Sequence, residues 1–323
     1  MGCKNTLDGS EISYEKSLVS ERELRMPQNT GPDFICIGMP KAGTGWLYDQ
    51  LQYHPDFWMP PIKELHYLDR EVPRMKNAER LLQRWAKRSE KASGFRRAWD
   101  ERDRQFLLDA KACGGLPMDL GRYASLYRHK DGSLSGDISP GYSRLPDDVV
   151  RKLAAGLPAT KVILLIRDPV ARTWSRISMA HRDGKFDSRV LEDNDRFMEF
   201  LDTSSYLRDR SHPTHILDRW QRCAPNMQFR YYLFDDIERE PETIRRDILT
   251  FLGADTDKQS GQLAAGHNRK ANAAKLVMTD KIRALLVRHF RDEILACAAK
   301  LGGAAESWPQ RYDLQPGPGT EHA

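Results

Sequence analysis

The sequence predicts an α/β fold: a central parallel sheet flanked by helices. Two observations carry this. Short apolar runs alternate with helix-like periods along the chain, which is the pattern of βα units. The run Val162–Ile166 is also apolar at every position, as in a strand covered on both faces. In such sheets ligands bind beyond the carboxyl ends of the strands. Three segments rich in candidate site residues fall at such ends: the loop after Gly38, Ser139-Pro140 and Arg167-Asp168.

Residues 1–30 are polar and mixed in charge, and read as a flexible lead-in. "MGCKNT" fits the loose N-myristoylation pattern, with Gly2 as the acylated residue and Cys3 as a palmitoylation candidate in a eukaryotic cell. An uninformative tail is the preferred reading. "DFICIG" is a strand, and "TGWLYDQLQYH" is a helix with Leu47 and Leu51 on one face. Prolines 55, 60 and 61 make "HPDFWMPPIKELHYLD" a loop leading into a short extended piece. Residues 74–104 have helical composition and carry 11 Lys/Arg against 5 Asp/Glu. That surplus reads either as a solvated helical face or as a basic wall for an acidic substrate.

"GDISPGYSRLP" is a short strand ending in a Pro-Gly turn. After Val162–Ile166, Asp168 caps the next helix, Pro169 suits its first turn, and Val170, Trp174 and Ile177 mark its buried side. "MQFRYYLF" at 227–234 is another strand, and "PETIRRDILTFLG" is a helix closed by Gly253. Residues 279–301 form an amphipathic helix through Ile282, Leu285, Leu286, Phe290, Ile294, Cys297 and Leu301. The tail 314–323 is disordered by composition.

A chain of 323 residues with 40% hydrophobic content can bury a substantial core. Its net charge of +5 suits an anionic ligand but is too small to imply nucleic acid. No run of ~18 apolar residues is present, so stable membrane insertion is not expected. Nor does the N-terminus carry a secretory apolar core. Five scattered cysteines, without a CxxC pair, read as reduced thiols in a cytoplasmic protein, with Cys36 a small core residue. The oligomeric state stays open.

The loop "GMPKAGTGW" carries the chemistry. A glycine-rich strand-to-helix turn offers backbone N–H groups and a positive helix end to a phosphate. Gly38 and Gly43 keep the spacing of a nucleotide-triphosphate loop, but Thr44 stands where its lysine belongs, and Lys41 lies inside the turn. A hydrolase relying on the usual lysine and Mg²⁺ is therefore disfavoured.

"PKAGTGWLYDQL" resembles the 5′-phosphosulfate loop of sulfotransferases that use 3′-phosphoadenosine 5′-phosphosulfate (PAPS). "LLIRDPVARTWSRI" resembles their 3′-phosphate motif, an R-D-P followed by a serine eight residues after the arginine. "KELHYLD" is similar to the K-E-x-H-[FY]-x-D segment of heparan-type and bacterial carbohydrate sulfotransferases, and "YYLFDDIEREPETIRRDILTFLG" resembles a later family block. The likeness runs from about 32 to 308.

This resemblance implies a three-layer, P-loop-like domain over 31–313, with 72–130 as a basic acceptor-side region. It implies a PAPS-dependent transfer of a sulfuryl group to an acceptor hydroxyl on a small molecule or glycan, releasing adenosine 3′,5′-bisphosphate (PAP) without a metal. Lys41, Ala42, Gly43, Thr44, Gly45 and Trp46 would hold the 5′-phosphosulfate. Arg167 and Ser175 would hold the 3′-phosphate, with Asn268, Arg269 and Lys270 closing over the nucleotide. Glu64 would act as general base, with His66 and Lys41 also catalytic and Asp69 and Tyr142 on the acceptor side. Without the flanking motifs, Glu64 reads as a carboxylate paired with a nearby cation and His66 as a satisfied buried residue. Asp137-Ile138-Ser139-Pro140 stands where heparan-type enzymes carry E-K-T-P, so that lysine's contacts come from elsewhere or the acceptor differs. The rival readings are a P-loop kinase or nucleotide hydrolase and a non-catalytic nucleotide-binding relative.

Overall fold

Every run read as a strand forms one. The computed structural model describes residues 31–86, 98–258, 263–267 and 276–314. The expectations for Gly2, Cys3 and the rest of 1–30, for Asn268, Arg269 and Lys270, and for 315–323 lie outside the described residues. Among the described residues four strands form one parallel sheet: β1 (Phe34–Gly38), β2 (Gly136–Ile138), β3 (Lys161–Ile166) and β4 (Phe229–Leu233). Their order is β2-β1-β3-β4.

Burial explains the composition of each strand. β1 and β2 are buried throughout, and β3 is buried at all positions but Lys161, which is why no polar alternation appears in them. β4 is the edge, and its outer half stays accessible: Arg230 is exposed there, paired with Asp247 at 3.0 Å. Phe234, read as the end of that strand, instead begins the short helix Phe234–Arg239. Cys36 is fully buried, and burial pushes its thiol up to about 12. The cysteines at 113, 223 and 297 are likewise buried and unpaired.

The chain leaves β1 for a neighbour on one side and later returns to β3 on the other. The loops after β1 and β3 therefore part at a topological switch point, where a crevice opens beyond the strand ends. Both loops lead straight into helices. Thr44–Gln52 follows β1, and Pro169–Arg182 follows β3. The Asp168 carboxylate accepts from Val170 N at 2.8 Å and Ala171 N at 3.2 Å, so the second helix starts where its cap lies. Val170, Trp174 and Ile177 are its buried side. The same carboxylate accepts from Tyr312 OH at 2.6 Å and pairs with Arg311 at 3.2 Å, tying the C-terminal segment to the crevice floor.

The region 72–130 is helical in pieces: Lys76–Ala86, Glu101–Cys113 and Leu120–Ser125. Asp100 and Asp103 form a reciprocal capping box at the start of the second. Helix Pro241–Leu252 ends at Gly253, whose φ of 86° is the left-handed geometry glycine tolerates. Helix Asp280–Leu301 buries all seven apolar residues that its period selects. Among the described residues no helix is long and apolar enough to cross a membrane.

The β1–β2 pairing leaves no room at Gly136, where a Cβ would lie 2.5 Å from the Phe34 carbonyl oxygen. Gly136→Ala must separate the strands, and overpacking of this kind costs about 1–3 kcal/mol. Urea unfolding should show a loss of that size; an unchanged midpoint would mean that the pairing is not this tight.

Candidate active site

The three segments singled out at strand ends meet in one cleft of about 530 Å³. The loop after β1 brings Lys41, Gly43, Thr44, Gly45 and Trp46. The turn after β2 brings Pro140 and Gly141, and the end of β3 brings Arg167. Ser175 reaches the cleft from helix Pro169–Arg182, and Lys63, Glu64 and His66 come from the proline-broken segment.

The loop is shaped by its backbone. Met39 N donates to Leu165 O at 2.6 Å, and Ala42 N donates to Met39 O at 3.1 Å. Lys41 and Gly43 take φ values of 76° and 97°. A side chain at Gly43 would also come within 3.1 Å of the Phe234 ring, so glycine is needed there twice over. Gly43 is the N-cap of helix Thr44–Gln52 and supplies no side-chain cap, so the first-turn N–H groups face the cleft without an intrahelical acceptor. A Cβ at Gly45 would meet nothing within 4 Å. Ala42 is fully buried with its N–H used inside the turn, so it supports the loop from behind. The Trp46 indole N–H donates to Ala265 O at 2.5 Å, bracing the helix against the segment 263–267.

Arg167 is half-buried and anchored from two sides. Its Nη1 donates to Lys41 O at 3.1 Å, and its guanidinium lies 4.4 Å from the Phe234 ring centroid. Burial pulls its pKa down, and the carboxylates of Glu238, Asp168 and Asp235 oppose that. The Lys41 ammonium lies 3.5 Å from Met179 Sδ, on the helix that also carries Ser175.

Sequence reasoning missed Arg172. It is fully buried; Nε donates to Pro40 O at 3.2 Å and Nη1 to Ser211 Oγ at 2.7 Å. Burial lowers its pKa to about 10. One buried cation thus ties the phosphate-type loop to the 205–212 segment. Its signal was available: an arginine on the apolar side of a helix needs a polar partner. Tyr206 and Arg210, which also line the cleft, had no such signal. The Tyr206 ring has the guanidinium groups of Arg210 at 4.1 Å and Arg176 at 4.3 Å.

The opposite wall is an ionised chain. Lys63 Nζ is 3.0 Å from Glu64 Oε1, His66 Nε2 is 3.5 Å from Glu64 Oε2, and His66 Nδ1 is 2.8 Å from Asp69 Oδ2. Burial raises the Glu64 pKa, but the His66 hydrogen bond and the Lys63 charge outweigh it and hold the carboxyl at about 2. Hydrogen bonds to Asp69 and then Glu64 push His66 up to about 9, against burial. At neutral pH an imidazolium therefore lies between two carboxylates. Glu64 does pair with a neighbouring lysine, as the plainer reading has it, and it faces the cleft as well.

Behind this wall His66 N donates to Ser139 Oγ at 3.2 Å, and Tyr67 N donates to Tyr142 OH at 3.1 Å. Tyr142, expected on the acceptor side, is fully buried and reaches the cleft only through this turn. A Cβ at Gly141 would lie 2.6 Å from Asp69 Oδ2, so the turn closes onto a glycine. Ile138 is 1% exposed and belongs to the core. Besides Lys41 and Arg167, the cleft is lined by Lys63, Arg182 and Arg210. Asn268, Arg269 and Lys270 lie outside the described residues; Leu276 O accepts from the Trp174 indole N–H at 3.1 Å.

A protein-family model described as the sulfotransferase family matches residues 32–258. A search of curated proteins gives no match. Among solved structures, the chain is similar to a sulfotransferase from Alicyclobacillus acidocaldarius. That match has 20% identity and a TM-score of 0.56, and covers 86% of this chain and 98% of the other. The sulfotransferase domain of the Synechococcus PCC 7002 olefin synthase matches at 17% identity and a TM-score of 0.41, covering 90% and 98%. A sulfotransferase from Mycobacterium avium matches at 14% identity and a TM-score of 0.42, covering 90% and 79%.

The ionised chain has a defined pH window. The raised His66 pKa gives stabilisation that is complete below its ordinary value of 6.5 and disappears as pH rises through about 9. The lowered Glu64 pKa gives stabilisation that is complete above 4.5 and disappears as pH falls through about 2. An NMR titration of the His66 ring should give a midpoint near 9, falling toward 6.5 in Asp69→Asn. A midpoint near 6.5 in the unaltered protein would mean that the chain of contacts does not hold in solution.

Proposed function

This chain belongs to the sulfotransferase family, and on that premise we propose that it transfers a sulfuryl group from PAPS to an acceptor hydroxyl of a carbohydrate or glycoconjugate. The observation that carries the reading is the meeting in one cleft of an uncapped helix N-terminus with Lys41 and of Arg167 with Ser175. A ligand with phosphates at two separated positions fits that pair of anion-binding features. The open space beside Gly45 lets such a group approach the backbone.

When bound, PAPS supplies the activated sulfuryl group, and its transfer to the acceptor oxygen releases PAP. The N–H groups of Gly43, Thr44, Gly45 and Trp46 bind the 5′-phosphate side, with Ala42 as support. The Lys41 ammonium stabilises charge as it develops on the departing oxygen. Arg167 and Ser175 bind the 3′-phosphate, and Asn268, Arg269 and Lys270 join them on resemblance alone.

Glu64 is assigned as the general base. His66 is protonated at neutral pH and cannot accept the acceptor's proton, whereas Glu64 is ionised and faces the cleft. A carboxylate held near 2 is a weak base. The His66 hydrogen bond and the Lys63 charge hold it there, and an acceptor that displaces either contact would raise it. His66 and Asp69 orient it, and Tyr142 positions the turn that carries them. Thr44 at the position of the triphosphatase lysine speaks against a kinase or hydrolase.

Thermal-shift assays should show stabilisation by PAP in the absence of metal; a response to ATP–Mg²⁺ with none to PAP would overturn the reading. Glu64→Gln should keep PAP affinity and lose ~10²–10⁴-fold in kcat with PAPS. Near-normal turnover would remove Glu64 from the base role. Arg167→Ala should weaken PAP binding about 10–100-fold and leave AMP binding, which lacks the 3′-phosphate, much less affected. Equal losses for both nucleotides would reject the 3′-phosphate assignment.

A further inference from the structure

A second depression, of about 590 Å³, shares two walls with the cleft. In the segment 206–210, Tyr206 and Arg210 face the cleft, while Arg208 and Asp209 face the depression. In the turn Pro140–Arg144, Pro140 and Gly141 face the cleft and Arg144 faces the depression. Arg219, His212, His215 and Ile216 complete the lining.

The lining has three guanidinium groups and one carboxylate. Arg144 and Arg208 both approach Asp209 through Nε, at 3.2 Å and 3.6 Å. Asp209 thus holds the two arginines side by side, and their side chains remain 43% and 61% exposed. Arg219 is fixed from behind: Nη1 lies 3.3 Å from Ser143 O and 3.4 Å from Leu145 O, and Nε lies 3.7 Å from Asp147. His212 Nδ1 is 2.7 Å from Arg208 O; because a carbonyl only accepts, that nitrogen carries the hydrogen. Its ring stacks on His215 at 5.2 Å. Arginine forks held in fixed positions match the oxygens of a tetrahedral dianion.

We propose that this depression is a second anion site, which binds a sulfate or phosphate ester group beside the cleft. The group is either free or carried by an acceptor that extends past Arg210; only the second source rests on the sulfotransferase reading. Mean charge does not create this site, since the whole chain carries only +5. The local excess of arginine over carboxylate does.

The test uses the full chain with the cleft saturated by PAP, and the double variant Arg144→Gln/Arg208→Gln. Thermal shifts are read with pyrophosphate, and separately with a sulfated heparin tetrasaccharide, each against sodium chloride at equal ionic strength. The unaltered protein should show a saturable rise with pyrophosphate, weakened about tenfold or more in the variant. PAP affinity should stay unchanged, which also shows that the variant is folded. A parallel loss for the tetrasaccharide assigns the site to an acceptor-borne group; a loss for pyrophosphate alone assigns it to a free ion. Equal responses of the two proteins to both probes would overturn the proposal. If PAP itself fails to bind, the sulfotransferase reading falls, while pyrophosphate titration without PAP still reads the second site.

Discussion

The carboxylate of Asp137 lies inside the protein and accepts hydrogen bonds from three hydroxyls: Ser139 Oγ at 2.6 Å, Tyr142 OH at 2.6 Å and Tyr123 OH at 3.0 Å. Burial raises its pKa, and the three donors oppose that. A buried carboxylate without such donors is costly, so the hydroxyls must stay where they are. Two of them then spend their lone pairs outward. Ser139 Oγ accepts the His66 N–H, and Tyr142 OH accepts those of Tyr67 and Leu68. The turn that carries Glu64, His66 and Asp69 thus hangs on the end of β2, and that wall of the cleft has its position from a carboxyl group that never meets solvent.

The glycine-rich loop on the other wall is held through its backbone carbonyls rather than by a buried acid. Arg167 binds the carbonyl of Lys41, and Arg172 binds that of Pro40. Guanidinium groups hold the loop through its carbonyls, while the first turn of helix Thr44–Gln52 has no side-chain cap. An arginine suits this because its donors are fixed in a plane and it stays charged when half-buried. Phe234 stacks on Arg167 and abuts Gly43, so the start of the helix after β4 also sets the loop's shape.

The two walls differ in kind. On one side the uncapped first turn of helix Thr44–Gln52 and the side chains of Lys41 and Arg167 face the cleft. On the other, an imidazolium between two carboxylates is already neutralised in large part. Ligand binding changes little in the second network unless an acceptor takes the place of Lys63 or His66. The basic depression lies across the segment 206–210 from the cleft.

The strands and their order of appearance were legible in the sequence because buried parallel strands leave continuous apolar runs. Asp168, Gly253 and the seven apolar residues of helix Asp280–Leu301 follow from local capping and periodicity. That Lys41, the loop glycines and Arg167 would meet at one cleft could also be read, since ligands in such sheets bind beyond the strand ends. Ile138 and Tyr142 could not be placed, because a motif gives spacing but not which face of a strand or turn meets the core. Arg172 meets Pro40 and Ser211 across sequence separations of 132 and 39, and Tyr206 and Arg210 reach the cleft only through the fold. The sequence by itself determined the fold class and the family, because both depend on patterns that local backbone geometry imposes. Tertiary structure decided the protonation of Glu64 and His66 and the existence of the second basic depression, because charge and pKa depend on distances between groups that only packing sets.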